Sequence, residues 1–455
     1  MGEVILLVLL LPLVGGLLLA FAPRARERRW VTLATYLVTL ALLVTSSGET
    51  SPWRLDPLGR YFALVTTLIG GYVTLFAARQ WSPRRRDRAA LAVSGLVVSL
   101  VLSSDLASRL DVLVLSFVGT GLVTLLLLQL SHPTGRVASS SVVGLLLGDG
   151  ALLLALLISG GITNSLDGGR PVANGGVLFA GACLAALGRA GAGSRRSWVV
   201  DTVKNPTAVS ALLHAGVVNG GAILLIRLAP LGGRSRFENI VLAAACVVQL
   251  VWWAPVIRRR ADLKGQLAAS TVSQMTFMVL TIALGWPLLA LTHLAGHALY
   301  KSTRFMNAAG SIRRRSLTPR PSTSTQSGPL LTGVLAGLLL LGALVVGVKG
   351  GTDVAALEAV LLPGAVLLVR RVSQRDRAGA ILLTGLSTTI LVGYGLLVGV
   401  IHHALAPNLS TNAPLAPWWS VGALVLTVAL LARPRRRLHH SAPTIVPATL
   451  MRTPA

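Results

Sequence analysis

The segment from Pro287 to Phe305, PLLALTHLAGHALYKSTRF, sets His293, His297 and Lys301 in an otherwise apolar run. On a helix, positions i, i+4 and i+8 advance about 40° per step, so the three side chains form one stripe that climbs roughly 12 Å. Imidazoles exchange protons near neutral pH, and an amine at the end of the stripe can take or release another. The spacing is that of a proton relay. Lys301 is one of four lysines among 41 basic residues, and an ammonium can hand on a proton where a guanidinium holds it. The plainer alternative is that both histidines hydrogen-bond neighbouring helices while Lys301 and Arg304 extend to an interface.

Three further ionisable residues fall inside apolar runs, where each is costly and a functional candidate. Asp149 lies midway along VVGLLLGDGALLLALL and needs either a partner or a proton. His214 lies in the first half of PTAVSALLHAGVVNGG. Arg189 closes its run close to Arg195 and Arg196 and, taken alone, reads as an end-of-span cation reaching for the interface. The two cysteines, Cys183 and Cys246, also lie in apolar runs and read as small core residues, not as a disulfide or metal framework. The sequence holds no phosphate-binding glycine loop and no nucleophile elbow, so no cofactor is expected in this chain.

The elements that must position these groups are membrane helices. Of the 455 residues, 53% are hydrophobic and 12% charged, with mean hydropathy +0.73; a soluble chain carries about 25% charged residues. The apolar runs are about 17–25 residues long, enough to cross a hydrocarbon core. Fifteen spans are expected, near 3–22, 30–46, 58–78, 89–108, 110–130, 140–160, 172–190, 206–229, 238–257, 266–284, 287–309, 329–348, 354–370, 378–402 and 417–433. The fold class is an all-α polytopic transmembrane bundle of about 14–15 spans. Pro206, preceded by the polar, glycine-rich GAGSRRSWVVDTVKN, marks a helix interruption of the kind transporters use. The first span reads as a retained helix, since its positive charges follow the apolar run instead of preceding it.

The formal charge of +26 would point to nucleic acid in a soluble protein. Here its distribution excludes that. Six basic clusters, at 23–29, 79–88, 258–264, 311–320, 370–377 and 433–437, hold 25 of the 41 basic residues, and each follows an odd-numbered span. The loops Glu49 to Asp56, Asp105 to Asp111 and Thr163 to Pro171 are nearly neutral. Counting positive charge as inside places the N-terminus outside and the C-terminus in the cytoplasm, with the basic face available to anionic lipid. Trp53, Trp286, Trp418 and Trp419 fall at outer span ends, where indole rings favour the interface. The chain divides into a transmembrane body at 1–310, a basic Ser/Thr/Pro linker at 311–328, further spans at 329–433 and a cytoplasmic tail at 434–455. No short-period repeat is evident.

Two stretches carry a family resemblance. WVVDTVKNPTAVSALLH (198–214) resembles W-L-P-D-A-M-x-G-P-T-P-V-S-A-L-I-H, and DLKGQLAASTVSQMTFMVL (262–280) resembles D-I-K-x-x-L-A-Y-S-T-x-S-Q-x-G-Y-M, followed by H-x-x-x-H-x-x-x-K at 293–301. These are motifs of the antiporter-like, proton-translocating subunits of respiratory complex I and of Mrp antiporters. The resemblance covers roughly residues 50–310. It implies a bacterial plasma-membrane protein with inverted repeats, and a proton path through Asp149, His214, His293, His297 and Lys301. Two departures stand out. The family's buried lysine falls on Arg189, and its glutamate falls on Val118 within SFVGTGL, so the Glu–Lys pair is missing. The wording PTAVSALLHAGVVNGGAILLIRLAPL is similar to the DabB branch, which lacks the same glutamate. That branch implies a non-enzymatic, cation-conducting subunit of a two-component inorganic-carbon uptake complex. Its partner would be DabA-like, a peripheral protein similar to β-carbonic anhydrases, and zinc is expected in that partner. The alternatives are a pumping subunit of a complex I or membrane-hydrogenase type oxidoreductase, and a membrane anchor that no longer conducts.

Overall fold

A computed structural model describes residues 2–315, apart from 81–84, 135–136, 138, 167–171, 194–196, 232–234 and 261, together with 401 and 403–405. The expected spans at 329–348, 354–370 and 417–433, and nearly all of 378–402, lie outside the described residues. So do the linker beyond 315 and the tail.

Each of the first eleven expected spans coincides with helix. They are α1 (Gly2–Phe21), α2 (Ala25–Thr45), α3 (Pro57–Gln80), α4 (Arg85–Leu106), α5 (Leu110–Ser131), α6 (Ser139–Ser159) and α7 (Gly175–Arg189). After them come a short α8 (Trp198–Asp201), then α9 (Thr207–Ala215), α10 (Gly220–Leu228), α11 (Arg236–Arg259), α12 (Leu263–Ala283) and α13 (Pro287–Arg315). A two-strand hairpin, β1 (Glu49–Thr50) with β2 (Trp53–Arg54), joins α2 to α3. The chain is a multi-pass, all-α membrane protein.

Burial separates centre from rim. The stretch Thr207–Leu231 is 89% buried, whereas Arg236–Ile257 is 28% buried. Outward leucines and valines such as Leu10 and Leu18 on α1, Leu147 and Leu157 on α6 and Val248 on α11 are exposed. In water that belt would be an aggregation surface; in a bilayer it suits lipid or a neighbouring membrane subunit. Trp286 does not join an interfacial belt. It is 4% exposed, because Gly285, at φ +88°, turns the chain sharply from α12 into α13 and tucks the ring inward.

The central span is broken twice. Pro206 has no N–H to continue a ladder, so the 3-10 turn Thr202–Lys204 ends at Asn205 and α9 restarts beyond it. Carbonyls freed inside a membrane must be satisfied from within the protein. Lys264 does this, donating from Nζ to Val203 O (3.0 Å) and Asn205 O (2.9 Å), while Asn205 Nδ2 donates to Leu128 O at 2.8 Å. The second break, a 3-10 turn at Val217–Asn219, was not expected from the sequence; there Asn219 Nδ2 donates to Ala215 O at 2.7 Å.

Candidate functional site

Small residues let α6 lie directly on α7. A Cβ added to Gly148 would sit 2.8 Å from Leu184 O, and one on Gly188 would sit 2.5 Å from Gly144 O. This contact brings Asp149, on α6, to Arg189, the last residue of α7. Arg189 Nη2 lies 3.2 and 3.4 Å from Asp149 Oδ1 and Oδ2, and donates to Phe117 O at 2.8 Å. The guanidinium carbon stands 4.1 Å from the centroid of the Phe117 ring, a cation–π contact. Gly121, one turn further along α5, provides the space, since a Cβ there would overlap Asp149 Oδ2.

Arg189 therefore does not reach an interface. Its side chain is 1% exposed and that of Asp149 4%. The reason is packing: Asp149, the Phe117 carbonyl and the Phe117 ring hold the guanidinium inside the bundle. Val118, where the family places its glutamate, is buried beside Phe117 on α5. The acid that meets the cation comes from α6 instead.

A second group follows the stripe on α13. The rings of His293 and His297 stack with centroids 6.0 Å apart and planes at 14°, and Phe277 packs on His293 at 5.6 Å. Neither ring nitrogen of His297, nor Nε2 of His293, has a hydrogen-bond partner among the described residues. Lys301 is fully buried, not interfacial. Its Nζ donates to Leu267 O (2.8 Å) and bonds Ser270 Oγ (2.6 Å), both on α12. Among the described residues no carboxylate lies within salt-bridge range of it. Phe305, the next position along the stripe, stacks on His214 at 4.4 Å and 18°.

His214 is held from its other side. Its Nε2 lies 2.7 Å from Thr202 Oγ1, and that hydroxyl donates its proton to Val199 O at 2.7 Å. The imidazole must then be the donor at Nε2, which leaves Nδ1 as a bare acceptor without a partner among the described residues. The interrupted segment before α9 thus fixes the tautomer of a buried histidine.

A third group was missed by the sequence reading, which placed Asp56 and Asp105 in neutral loops. Arg227, 5% exposed near the end of α10, pairs with Asp56 Oδ2 at 2.8 Å and donates to Asp105 O at 2.5 Å. Asp105 is fully buried at the end of α4 and accepts from Thr66 Oγ1 at 2.7 Å. The signal was present: Asp105 and Arg227 both lie within runs apolar enough to be drawn as spans. Among the described residues no three His, Cys, Asp or Glu are placed to hold a metal ion.

The family model described as NADH:quinone oxidoreductase/Mrp antiporter, transmembrane, matches residues 107–332. A probable inorganic carbon transporter subunit DabB of Bacillus subtilis is 30% identical over 323 residues, covering 67% of this chain and 63% of its own length. The chain belongs to this family. Within it the chain is DabB-like: the corresponding subunit of Bacillus anthracis is 26% identical over 414 residues, 87% of this chain and 80% of that one. An NADH-quinone oxidoreductase subunit L of Mycobacterium tuberculosis is 25% identical over 273 residues, 57% of this chain and 43% of its own. Among solved structures, the Mrp complex of Dietzia sp. matches with TM-score 0.65 at 22% identity, over 94% of this chain and 55% of that one. Respiratory complex I of Thermus thermophilus matches with TM-score 0.56 at 21% identity, over 94% and 95%. Both share the fold. The chain thus spans about three-fifths of the length of the B. subtilis relative.

Proposed function

We propose that the chain is the proton-conducting membrane subunit of a two-component inorganic-carbon uptake complex. The observation that carries this reading is Lys301. A buried ammonium held by a carbonyl and a hydroxyl, with no carboxylate in range among the described residues, stands in line with two imidazoles, of which His297 has both ring nitrogens and His293 its Nε2 without a partner there. Cations in membrane helices pair with acids or with backbone carbonyls; one held by a carbonyl without an acid, at the end of a histidine stripe, suits proton transfer. The names of the DabB relatives supply the cargo, inorganic carbon, and imply a DabA-like partner. In this reading the partner holds zinc and performs the carbon chemistry, and this chain supplies the ion flux that drives it. The N-terminus faces outward and the basic loops face the cytoplasm, where they meet the partner and anionic lipid.

The test is bicarbonate uptake in cells that express the chain with the DabA-like protein encoded beside it. His297→Ala and Lys301→Ala should each lower uptake at least about tenfold while the complex still co-purifies. Unchanged uptake would leave the chain as a membrane anchor, and a neighbouring oxidoreductase gene set in place of the DabA-like one would move it to a redox pump. A protonophore that stops uptake in sodium-free buffer identifies the ion as H⁺.

A further inference from the structure

A cavity of about 10 Å³ is lined by Arg189 on one side and by the buried end of α4 on the other, with Asp149 behind Arg189. Asp105 and Arg189 both line it, together with the hydroxyl residues Ser104 and Thr120. That volume is close to the minimum for one water, and four polar side chains are enough to hold it. On the Arg189 side, Nε and Nη1 have no partner among the described residues; on the Asp105 side, Oδ1 has none.

Charge accounting sharpens the observation. Arg227, on α10, pairs with Asp56 at 2.8 Å and also acts on Asp105, whose backbone carbonyl it meets. Two cations, Arg189 and Arg227, then serve three carboxylates: Asp149 in contact with Arg189, Asp56 in contact with Arg227, and Asp105, which lines the cavity with Arg189. The remaining charged groups on the elements around Asp105 are engaged or exposed. Arg109 pairs with Asp111 at the head of α5, Arg54 on β2 with Glu49, Arg60 on α3 donates to Ser46 O, and Glu3 on α1 is exposed. An uncompensated carboxylate at this depth costs several kcal/mol on the order of the effective burial penalty of an ion, so a proton stands in for the missing cation. The bonding says which acid carries it. An ionised carboxylate gathers donors on both oxygens; Asp105 has Thr66 on Oδ2 and nothing on Oδ1, whereas Asp149 faces a guanidinium.

The geometry points to Asp105 as a second proton-carrying acid, which shares one proton with Asp149 across the Arg189 cavity and forms the inlet from the neutral-loop face. This rests on the conducting role proposed above. In the step, the carboxylic O–H of Asp105 breaks as its proton passes to water in the cavity, and that water releases a proton past Arg189 to Asp149, where an O–H forms. Arg189 stays charged throughout and turns its free N–H groups to the newly ionised Asp105. No electrons move, and the net charge of the cluster is unchanged.

Asp105→Asn mimics the protonated acid in shape and keeps the Thr66 bond, but it cannot release a proton. In the complex with its partner, Asp105→Asn should assemble and melt as wild type does, while bicarbonate uptake falls at least about tenfold. The wild-type-minus-variant infrared difference spectrum at neutral pH should contain the carbonyl stretch of a protonated carboxyl. Wild-type uptake by Asp105→Asn when His297→Ala is inactive would overturn the inlet and leave the conducting role standing. A difference spectrum without that band would overturn the shared proton. If the variant does not assemble, wild type labelled with heavy-isotope aspartate decides alone: absence of a protonated-carboxyl band that shifts on labelling overturns the assignment. Silence in both variants would sink the conducting role and this inlet with it.

Discussion

Arg189 and Lys301 are both buried cations close to the broken central span, yet they are provided for in opposite ways. Arg189 lies against a carboxylate, a carbonyl and an aromatic face, in a space that Gly121 leaves for it. Lys301 has a carbonyl and a serine hydroxyl, and its neighbours along the helix are imidazoles with open nitrogens. A guanidinium does not release its proton, so a neutralising partner fixes it in place; an amine can release one, and neutral neighbours leave it free to. Under the proposed conducting role, the contrast separates a holding cation from a moving one within a single helical body.

Breaking the held pair should have the largest effect on stability. Arg189→Ala leaves Asp149 buried and unpaired, at a cost of about 3–5 kcal/mol, read as a lower melting temperature in detergent or as loss of the protein from the membrane. Arg189→Met with Asp149→Asn removes both charges and should restore most of that loss. A double variant no better than Arg189→Ala would show that the pair is not what holds α6 to α7. Asp149→Asn alone should lower both melting temperature and uptake, because it unpairs Arg189 and removes a proton acceptor. His297→Ala sharpens the other side: uptake falls at least about tenfold, while melting falls less than in Arg189→Ala, since the loss is a ring-sized cavity and its ring nitrogens have no hydrogen bonds to lose among the described residues. The smallest effect belongs to Thr202→Val. Loss of the hydroxyl that orients His214 should cost about 0.5–1.5 kcal/mol and slow uptake a few-fold, whereas Thr202→Ser should behave as wild type.

The alignment of the stripe on α13 was legible in the sequence and the buried ion pairs were not, for a physical reason. His293, His297 and Lys301 lie on one helix, so spacing alone puts them on one face. Pro206 announces its own break, because no sequence context restores the missing N–H. Asp149 and Arg189 are 40 residues apart and Asp105 and Arg227 are 122 apart; such pairs depend on which helices pack together, which hydropathy does not specify. Arg189 misled because its partners, Asp149 and Phe117, come from other helices and hold it inside the bundle. The break at Val217–Asn219 sits in LLHAGVVNGG, where the apolar run continues through it. Asp105 and Arg227 fall inside expected spans and were passed over by weighing loops for net charge instead of asking how each acid is balanced.

The claim that Lys301 moves protons while Arg189 holds structure is tested most directly by Lys301→Met, measured for bicarbonate uptake and for melting in the same preparation of the complex. Methionine fills the volume without the charge, and removing an unpaired buried ammonium should leave stability unchanged or raised. The account predicts uptake lowered at least about tenfold with a melting temperature at or above that of wild type. Normal uptake with a destabilised complex would contradict it, and would make Lys301 the structural cation.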